Sequence, residues 1–274
     1  MPADSGYAPR KRMPDEAIVT LLTDFGASDP FVGVMKGVVL SLARGSALVD
    51  LSHDVEPGRI ADAAFWLAQA YPWFPAGTVH LAVVDPGVGT SREALVLRAA
   101  GHWFVGPDNG LFEVVLRRVN SFECRRLDVG RLGLAPQSST FHGRDVFAPV
   151  AGLLASRRLD FEGVGPRHEP LATHRVPEPR AVDGGFEGEV LVVDRFGNLI
   201  TNVEAPTLGD LETTRVEILG RMLEHVRTYG ELSPGGAAFV VGSFGQLEVV
   251  ERDGSAARTL GAQRGTPLRV HRQA

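Results

Sequence analysis

The chain has 274 residues, 44% hydrophobic and 22% charged, the balance of a soluble protein with a substantial core. Its formal net charge of −5 speaks against a nucleic-acid footprint. A single cysteine, Cys124, excludes an internal disulfide framework and a cysteine-built zinc site, and reads as a small core residue.

Residues 1–15 are polar and proline-bearing and read as a disordered tail. Arg10-Lys11-Arg12 is followed by only a short apolar run at 17–22, too short for a secretory core. No uncharged apolar stretch of about 18 residues occurs, so a cytoplasmic protein with no membrane partner is expected. The run at 17–22 reads as a buried strand, and Thr23-Asp24-Phe25-Gly26 puts an acid and a turn at its end. Helical spacing over 31–42, a strand at 47–51 followed by Ser52-His53-Asp54, and a helix opened by Pro57 and running to about Tyr71 come next. A third strand, 78–84, ends in Asp85, a Pro86-Gly87-Val88-Gly89 turn, and Arg92.

Strands are expected at 94–98 and 103–105, then a turn over 106–110, a helix over 111–119 and a strand over 122–127. Polar residues 137–140 lead into Phe141-His142-Gly143-Arg144-Asp145, and 146–156 reads as a helix that Asp145 could cap. This alternation predicts a mostly parallel sheet covered on both faces, an α/β domain over 16–165. Pro166, Pro170, Pro177 and Pro179 mark a linker over 166–183. Beyond it, short runs at 189–193, 199–203, 215–219, 237–241, 247–250 and 267–270 predict a smaller C-terminal antiparallel β-barrel domain over 184–274.

Four expected strand ends carry Asp24, His53-Asp54, Asp85 and Asp108-Asn109. In a parallel sheet they would share one rim and suit a ligand with hydroxyls or positive charge. Any one of them alone is equally a turn or cap residue. No G-x-G-x-x-G, P-loop, H-E-x-x-H or G-x-S-x-G pattern is present, and Asp85 would repel a pyrophosphate.

Five motifs carry a resemblance: Thr23-Asp24-Phe25-Gly26, Val84 to Thr90, Val105 to Gly110, Phe141 to Asp145, and Phe196-Gly197-Asn198 with Thr201-Asn202. In this order they resemble the S-adenosylmethionine (SAM) hydrolase, or hydroxide adenosyltransferase, family, the relatives of fluorinase and chlorinase. The resemblance implies SAM as substrate, adenosine and methionine as products, no cofactor or metal, and a homotrimer whose sites lie between subunits. It implies a water-activating triad at Asp85, Arg92 and His142. For substrate it implies Asp24 on the ribose, Asp194 and Asn198 on the methionine end and the adenine, and Asp29 and Ser243 nearby. Phe244 departs from the pattern, since the halide enzymes have an arginine there.

Chemically, a sulfonium already leaves well, and what is missing is a nucleophile. Arg92 can lower the cost of negative charge on oxygen, His142 can donate or relay a proton, and Asp85 can orient water or balance Arg92. A structural Asp85–Arg92 ion pair bracing the turn is the plainer alternative. The rival functions are a SAM-dependent halogenase of the same fold and a non-catalytic adenosine- or SAM-binding protein.

Overall fold

The structure, a computed structural model, describes residues 17–173 and 175–272, so the tail expected over 1–15 lies outside it. The chain divides into two compact units, with the boundary between Arg175 and Val176.

The first unit runs β1 (Ile18–Thr23), α1 (Phe31–Leu42), β2 (Ala47–Ser52), α2 (Ile60–Ala70), β3 (Val79–Val83), β4 (Ala94–Ala99), β5 (His102–Pro107), α3 (Glu113–Arg118), β6 (Phe122–Arg126) and α4 (Ala148–Ala155). Its six strands form one sheet in the order β2-β1-β3-β5-β4-β6. β2, β1, β3 and β5 are parallel, and β4 is antiparallel to both β5 and β6. The interior strands β1 and β3 are made mostly of β-branched residues and leucine, and β3 is buried along its whole length. One face of the sheet places Val19, Leu21, Leu81 and Val83 against Met35 and Val39 of α1 and Val150 and Ala151 of α4. The opposite face carries Thr20, His80 and Phe104, where His80 stacks on Phe104 and meets Tyr71 edge-on at the end of α2. Cys124 is buried, and burial pushes its thiol up to about 12, which leaves it unreactive.

The sheet is less parallel than a uniform strand–helix alternation would make it. β4 and β5 are joined directly by Ala100-Gly101, both at positive φ (49° and 79°), which is a two-residue hairpin turn. Ala-Gly is a weak hairpin signal, so the sequence does not announce that reversal. The proline-bearing stretch read as a linker divides between the two units. Residues 166–173 lie along the first unit, with the Asp108 carboxylate accepting from His168 Nε2 at 2.8 Å and from Leu171 N at 2.9 Å. Glu113 likewise accepts from Thr173 Oγ1 at 2.6 Å and from Arg175 N at 3.0 Å.

The second unit pairs its named strands antiparallel, and only the closing bridge between His225 and Phe239 is parallel: β7 (Arg180–Val182), β8 (Gly185–Val193), β9 (Leu199–Glu204), β10 (Arg215–Ile218), β11 (Arg221–Leu223), β12 (Ala237–Val241), β13 (Gln246–Glu251), α5 (Ala256–Leu260) and β14 (Pro267–His271) follow in chain order among the described residues. The strand order is β11-β10-β14-β8-β9-β13-β12, with β7 added alongside β8. The residues after β11 close the circle, as Phe239 N of β12 donates to Glu224 O and Val226 N donates to Phe239 O, both at 3.0 Å. Val190, Leu199, Val216, Phe239, Leu247, Val249 and Val270 fill the barrel. β7, β11 and α5 are absent from the sequence reading because three to five residues are too few to show a period. Among the described residues no helix is long and apolar enough to cross a membrane.

Candidate active site

Because β1, β2, β3 and β5 are parallel, Asp24, His53, Asp85 and Asp108 do leave the same end of the sheet. They do not all face one space. Asp108 is turned onto the segment 168–171. Asn109 donates from Nδ2 to the Val84 carbonyl at 2.9 Å, so it fixes the residue before Asp85. His53 bonds Thr23 Oγ1 through Nδ1 at 2.8 Å. Position at a strand end is legible from sequence, whereas the direction of the side chain is decided by the partners it finds.

Asp85, Arg92 and His142 do come together. Arg92 Nε donates to both Asp85 oxygens, at 3.0 and 2.9 Å, and an Arg92 Nη donates to Asp85 Oδ2 as well. That same nitrogen lies 2.9 Å from His142 Nδ1. The Asp85 and Arg92 side chains are only 4% and 11% exposed, and the guanidinium lies over the Phe147 ring, 5.1 Å from its centroid. A guanidinium can only donate, so Nδ1 must accept and a neutral His142 carries its proton on Nε2. Burial, and then the Arg92 charge, hold His142 below the usual imidazole range, which keeps it neutral at pH 7.

Two local devices join stretches of chain fifty residues apart. Gly89 sits at φ 77°, and a Cβ there would lie 2.7 Å from the Ser139 carbonyl oxygen, so the 85–92 turn packs directly on the polar loop before His142. Asp145 holds that loop from the other side, accepting from Gln137 N and Ser138 N at 2.9 Å each. Asp145 is therefore a loop staple and not the helix cap the sequence suggested, and its bond from Arg144 keeps its carboxyl below the usual range. The helix instead begins as one π-helical turn, Gly143–Phe147, closed by Ala148 N on Gly143 O. Pro149 crowds the carbonyl four residues back, and the turn widens to accept it.

Asp24 lies beside this group. Its Oδ2 accepts from Gly58 N at 2.7 Å, and burial, with repulsion from Asp85 as a smaller cause, raises its carboxyl above the usual range. Phe25, Phe31 and Phe141 meet edge to face at centroid distances of 6.2, 6.1 and 5.3 Å, which ties the Asp24 turn to the His142 turn. Asp29 is exposed, in the bend before α1.

In the second unit, Asp194 and Asn198 build one turn. Asp194 Oδ1 accepts from Phe196 N at 2.9 Å and from Asn198 N at 2.8 Å, while Oδ2 accepts from Asn198 Nδ2 at 2.9 Å. Asn198 is 6% exposed and also reaches the Tyr229 hydroxyl at 3.4 Å. A pocket of about 530 Å³ adjoins this turn, lined by Phe196, Asn198, Tyr229, Glu251, Arg252 and Arg258 among others. Tyr229 and α5 are missing from the sequence reading. α5 bears on the turn through Ala257 N, which donates to Gly197 O at 3.0 Å, and its cap Ser255 accepts from Arg258 N at 3.3 Å. Ser243 and Phe244 are exposed on the turn between β12 and β13. A separate cavity of about 650 Å³ beside β6, lined by Phe122, Phe161, Arg167 and His168 among others, holds none of the expected site residues.

Comparison with known proteins bears on both units. The sequence profile of the SAM hydroxide adenosyltransferase N-terminal domain matches residues 19–165, and that of the family's C-terminal domain matches residues 188–269. The chain belongs to this family. Among SAM hydroxide adenosyltransferase relatives, it is 44% identical over 260 residues to the (R)-S-adenosyl-L-methionine hydrolase of Thermus thermophilus, covering 92% of this chain and 98% of that one. A fluorinase of an Actinoplanes species is more distant, at 27% over 217 residues, covering 70% of this chain and 73% of the fluorinase. The crystal structure of an uncharacterised conserved protein from Thermotoga maritima superposes with a TM-score of 0.84 at 34% identity, covering 93% of this chain and all of that one. Among the described residues, no group of three or more histidine, cysteine, aspartate or glutamate side chains is arranged to hold a metal ion.

Proposed function

We propose that the protein hydrolyses S-adenosyl-L-methionine to adenosine and L-methionine, by attack of a water-derived oxygen on the ribose C5′. The reading rests on one observation: the hydrogen-bonded Asp85–Arg92–His142 group in a chain so similar to a named SAM hydrolase. Its balance is simple. The C5′–S bond breaks with its electron pair on sulfur, the new C5′–O bond forms, and one proton goes to solvent.

Each residue has a role that follows from its contacts. Arg92, pinned by Asp85, presents fixed positive charge where a hydroxide would sit, and it needs no reorganisation as charge shifts. Neutral His142, its Nδ1 taken by Arg92, can donate from Nε2 to that oxygen and aim its lone pair at C5′. Asp24 has an oxygen beyond its bond to Gly58 for the ribose hydroxyls. Asn198 and Asp194 serve the adenine and the methionine end, with Asp29 and Ser243 as further substrate contacts. Neither a cofactor nor a metal is required by this chemistry, and a cytoplasmic location goes with the reading. The (R) sulfonium named for the Thermus relative is taken as the preferred epimer.

The deciding experiment is turnover of SAM in oxygen-labelled water with the products identified by mass. Label in adenosine, unaffected by a chelator, is expected. Label in methionine would place the attack elsewhere than C5′, a 5′-halo-adenosine formed in chloride would make the protein a halogenase, and no turnover would leave a binding protein.

The assembly is proposed as a homotrimer whose sites are completed between subunits. Mixing an Asp85→Ala chain with an Asn198→Ala chain should then revive activity, because random assembly leaves about one interface in four intact. Verified mixed trimers that stay as dead as either parent would rule out a shared site.

A further inference from the structure

The edge strand β2 pairs irregularly with β1. Leu21 faces Asp50 but Leu22 faces Ser52, so Leu51 is an extra residue and β2 bulges there. Bulges are rare between parallel strands, and they re-aim side chains. Had β2 run on regularly, Asp50 and His53, three residues apart, would point to opposite faces. With the bulge they meet, His53 Nε2 lying 2.9 Å from Asp50 Oδ1. The oxygen sits off the ring's N–H direction, so this is an electrostatic contact more than an aligned hydrogen bond. The other Asp50 oxygen accepts from Lys36 Nζ of α1 at 2.6 Å. Burial works to raise the Asp50 carboxyl, but the contacts from Lys36 and then His53 outweigh it and hold the group below the usual range.

On its other side, His53 spans both ends of the turn that carries Asp24. Its Nδ1 meets Thr23 Oγ1 at 2.8 Å, and its carbonyl accepts from Gly26 N at 2.8 Å. Thr23 is fully buried, and its Oγ1 also accepts from Phe25 N at 3.3 Å. One arrangement of protons gives every donor an acceptor: Thr23 donates to Nδ1, and Nε2–H faces the Asp50 carboxylate. The His53 side chain, 9% exposed, is thus oriented from outside by a partly exposed ion pair and grips the backbone on either side of Asp24. Asp24 Oδ2 is tied to Gly58 N, so the direction of its second oxygen follows the turn that His53 holds. Packing alone would be met by an apolar side chain in this place. What the imidazole adds is a directed bond to the turn.

We propose that His53 is a positioning residue of the nucleoside site and that, oriented by Asp50 and Lys36, it aims the Asp24 carboxylate at the ribose hydroxyls. This rests on the reading of Asp24 as the ribose acid. His53 reaches the ligand only through the Asp24 turn, so its removal should matter only while Asp24 can bind. A histidine that merely braced the fold would weaken the ligand equally whichever residue stood at position 24.

The test is a double-mutant cycle between His53→Ala and Asp24→Asn, read as adenosine affinity by calorimetry. Alone, His53→Ala should weaken adenosine binding by at least about five-fold, in the range of one ordinary hydrogen bond. Added to Asp24→Asn, the same change should cost less than about two-fold, because the two residues act as one unit. Thr23→Val removes the hydroxyl at nearly constant shape and should repeat both results. Thr23→Ser, which returns the hydroxyl, should rescue binding. The Thr23 variants carry the cycle by themselves if His53→Ala does not fold. Unchanged affinity in either folded variant, or equal losses in both backgrounds, would overturn the assignment. The parent claims stay separable: wild type that binds adenosine without hydrolysing SAM refutes the activity and leaves the cycle readable, whereas wild type that does not bind adenosine refutes both.

Discussion

Arg92→Lys is expected to lower kcat by about 100-fold or more while adenosine affinity stays within about two-fold, because a preorganised donor is worth roughly that much to a charged transition state. Lysine preserves the charge. It cannot give Nε and Nη to both oxygens of Asp85 while the same Nη also meets His142. The ammonium would settle on Asp85 alone, and His142 Nδ1 would lose the donor that fixes its tautomer. Turnover and adenosine binding measured on the folded variant decide the matter. Near-wild-type turnover would mean that Arg92 only braces its turn, and the triad reading would fall while the fold stood.

Asp24→Asn should weaken binding of both SAM and adenosine by about 10- to 100-fold, the worth of a charge-assisted hydrogen bond of roughly 1.5–3 kcal/mol. Asparagine is the cleaner change, since its side-chain oxygen can still accept from Gly58 N. The effect carries a pH signature. Burial first, and to a smaller extent the like charge of Asp85, raise the Asp24 carboxyl. The charged form is the better acceptor, so wild-type affinity is full above that raised pKa and fades as pH falls through it. The asparagine variant should show a flat profile over the same range. Calorimetric titration with adenosine across the acid range gives both readings, and a variant that tracked wild type at every pH would remove Asp24 from the ribose.

The groups to which we assign this chemistry are legible because they occur in short, unusual runs of residues. Asp85 and Arg92 bracket one turn, and His142 sits in a polar cluster for which helix capping gives no account. The strand ends are legible too, since an apolar run followed by an acid has few other readings. What is not legible depends on contacts between distant parts of the chain. Asp108 and Asp85 look alike in sequence, but one is turned away by His168 and the other is held by Arg92. Asp145 has the sequence position of a cap, yet Gln137 N and Ser138 N take its carboxylate. The contact between His53 and Asp50 escapes a sequence reading because period-two alternation puts residues three apart on opposite faces, and the bulge at Leu51 that undoes this shows only in the pairing. The β4 reversal escapes because positive φ at Ala100 is a property of the folded turn that alanine does not advertise.

The residues from 166 to 175 also determine where this chain can be divided. Asp108 and Glu113, only 4% and 9% exposed, accept four hydrogen bonds from beyond residue 165, from His168, Leu171, Thr173 and Arg175. A fragment ending where the proline-bearing stretch begins would strip two buried carboxylates of four donors, each loss costing about 1–3 kcal/mol. That sum is comparable to the whole margin by which a domain of this size stays folded. The seam for dissecting the protein, or for grafting its N-terminal half onto another barrel, thus lies after Arg175, ten residues past the point that composition alone would choose.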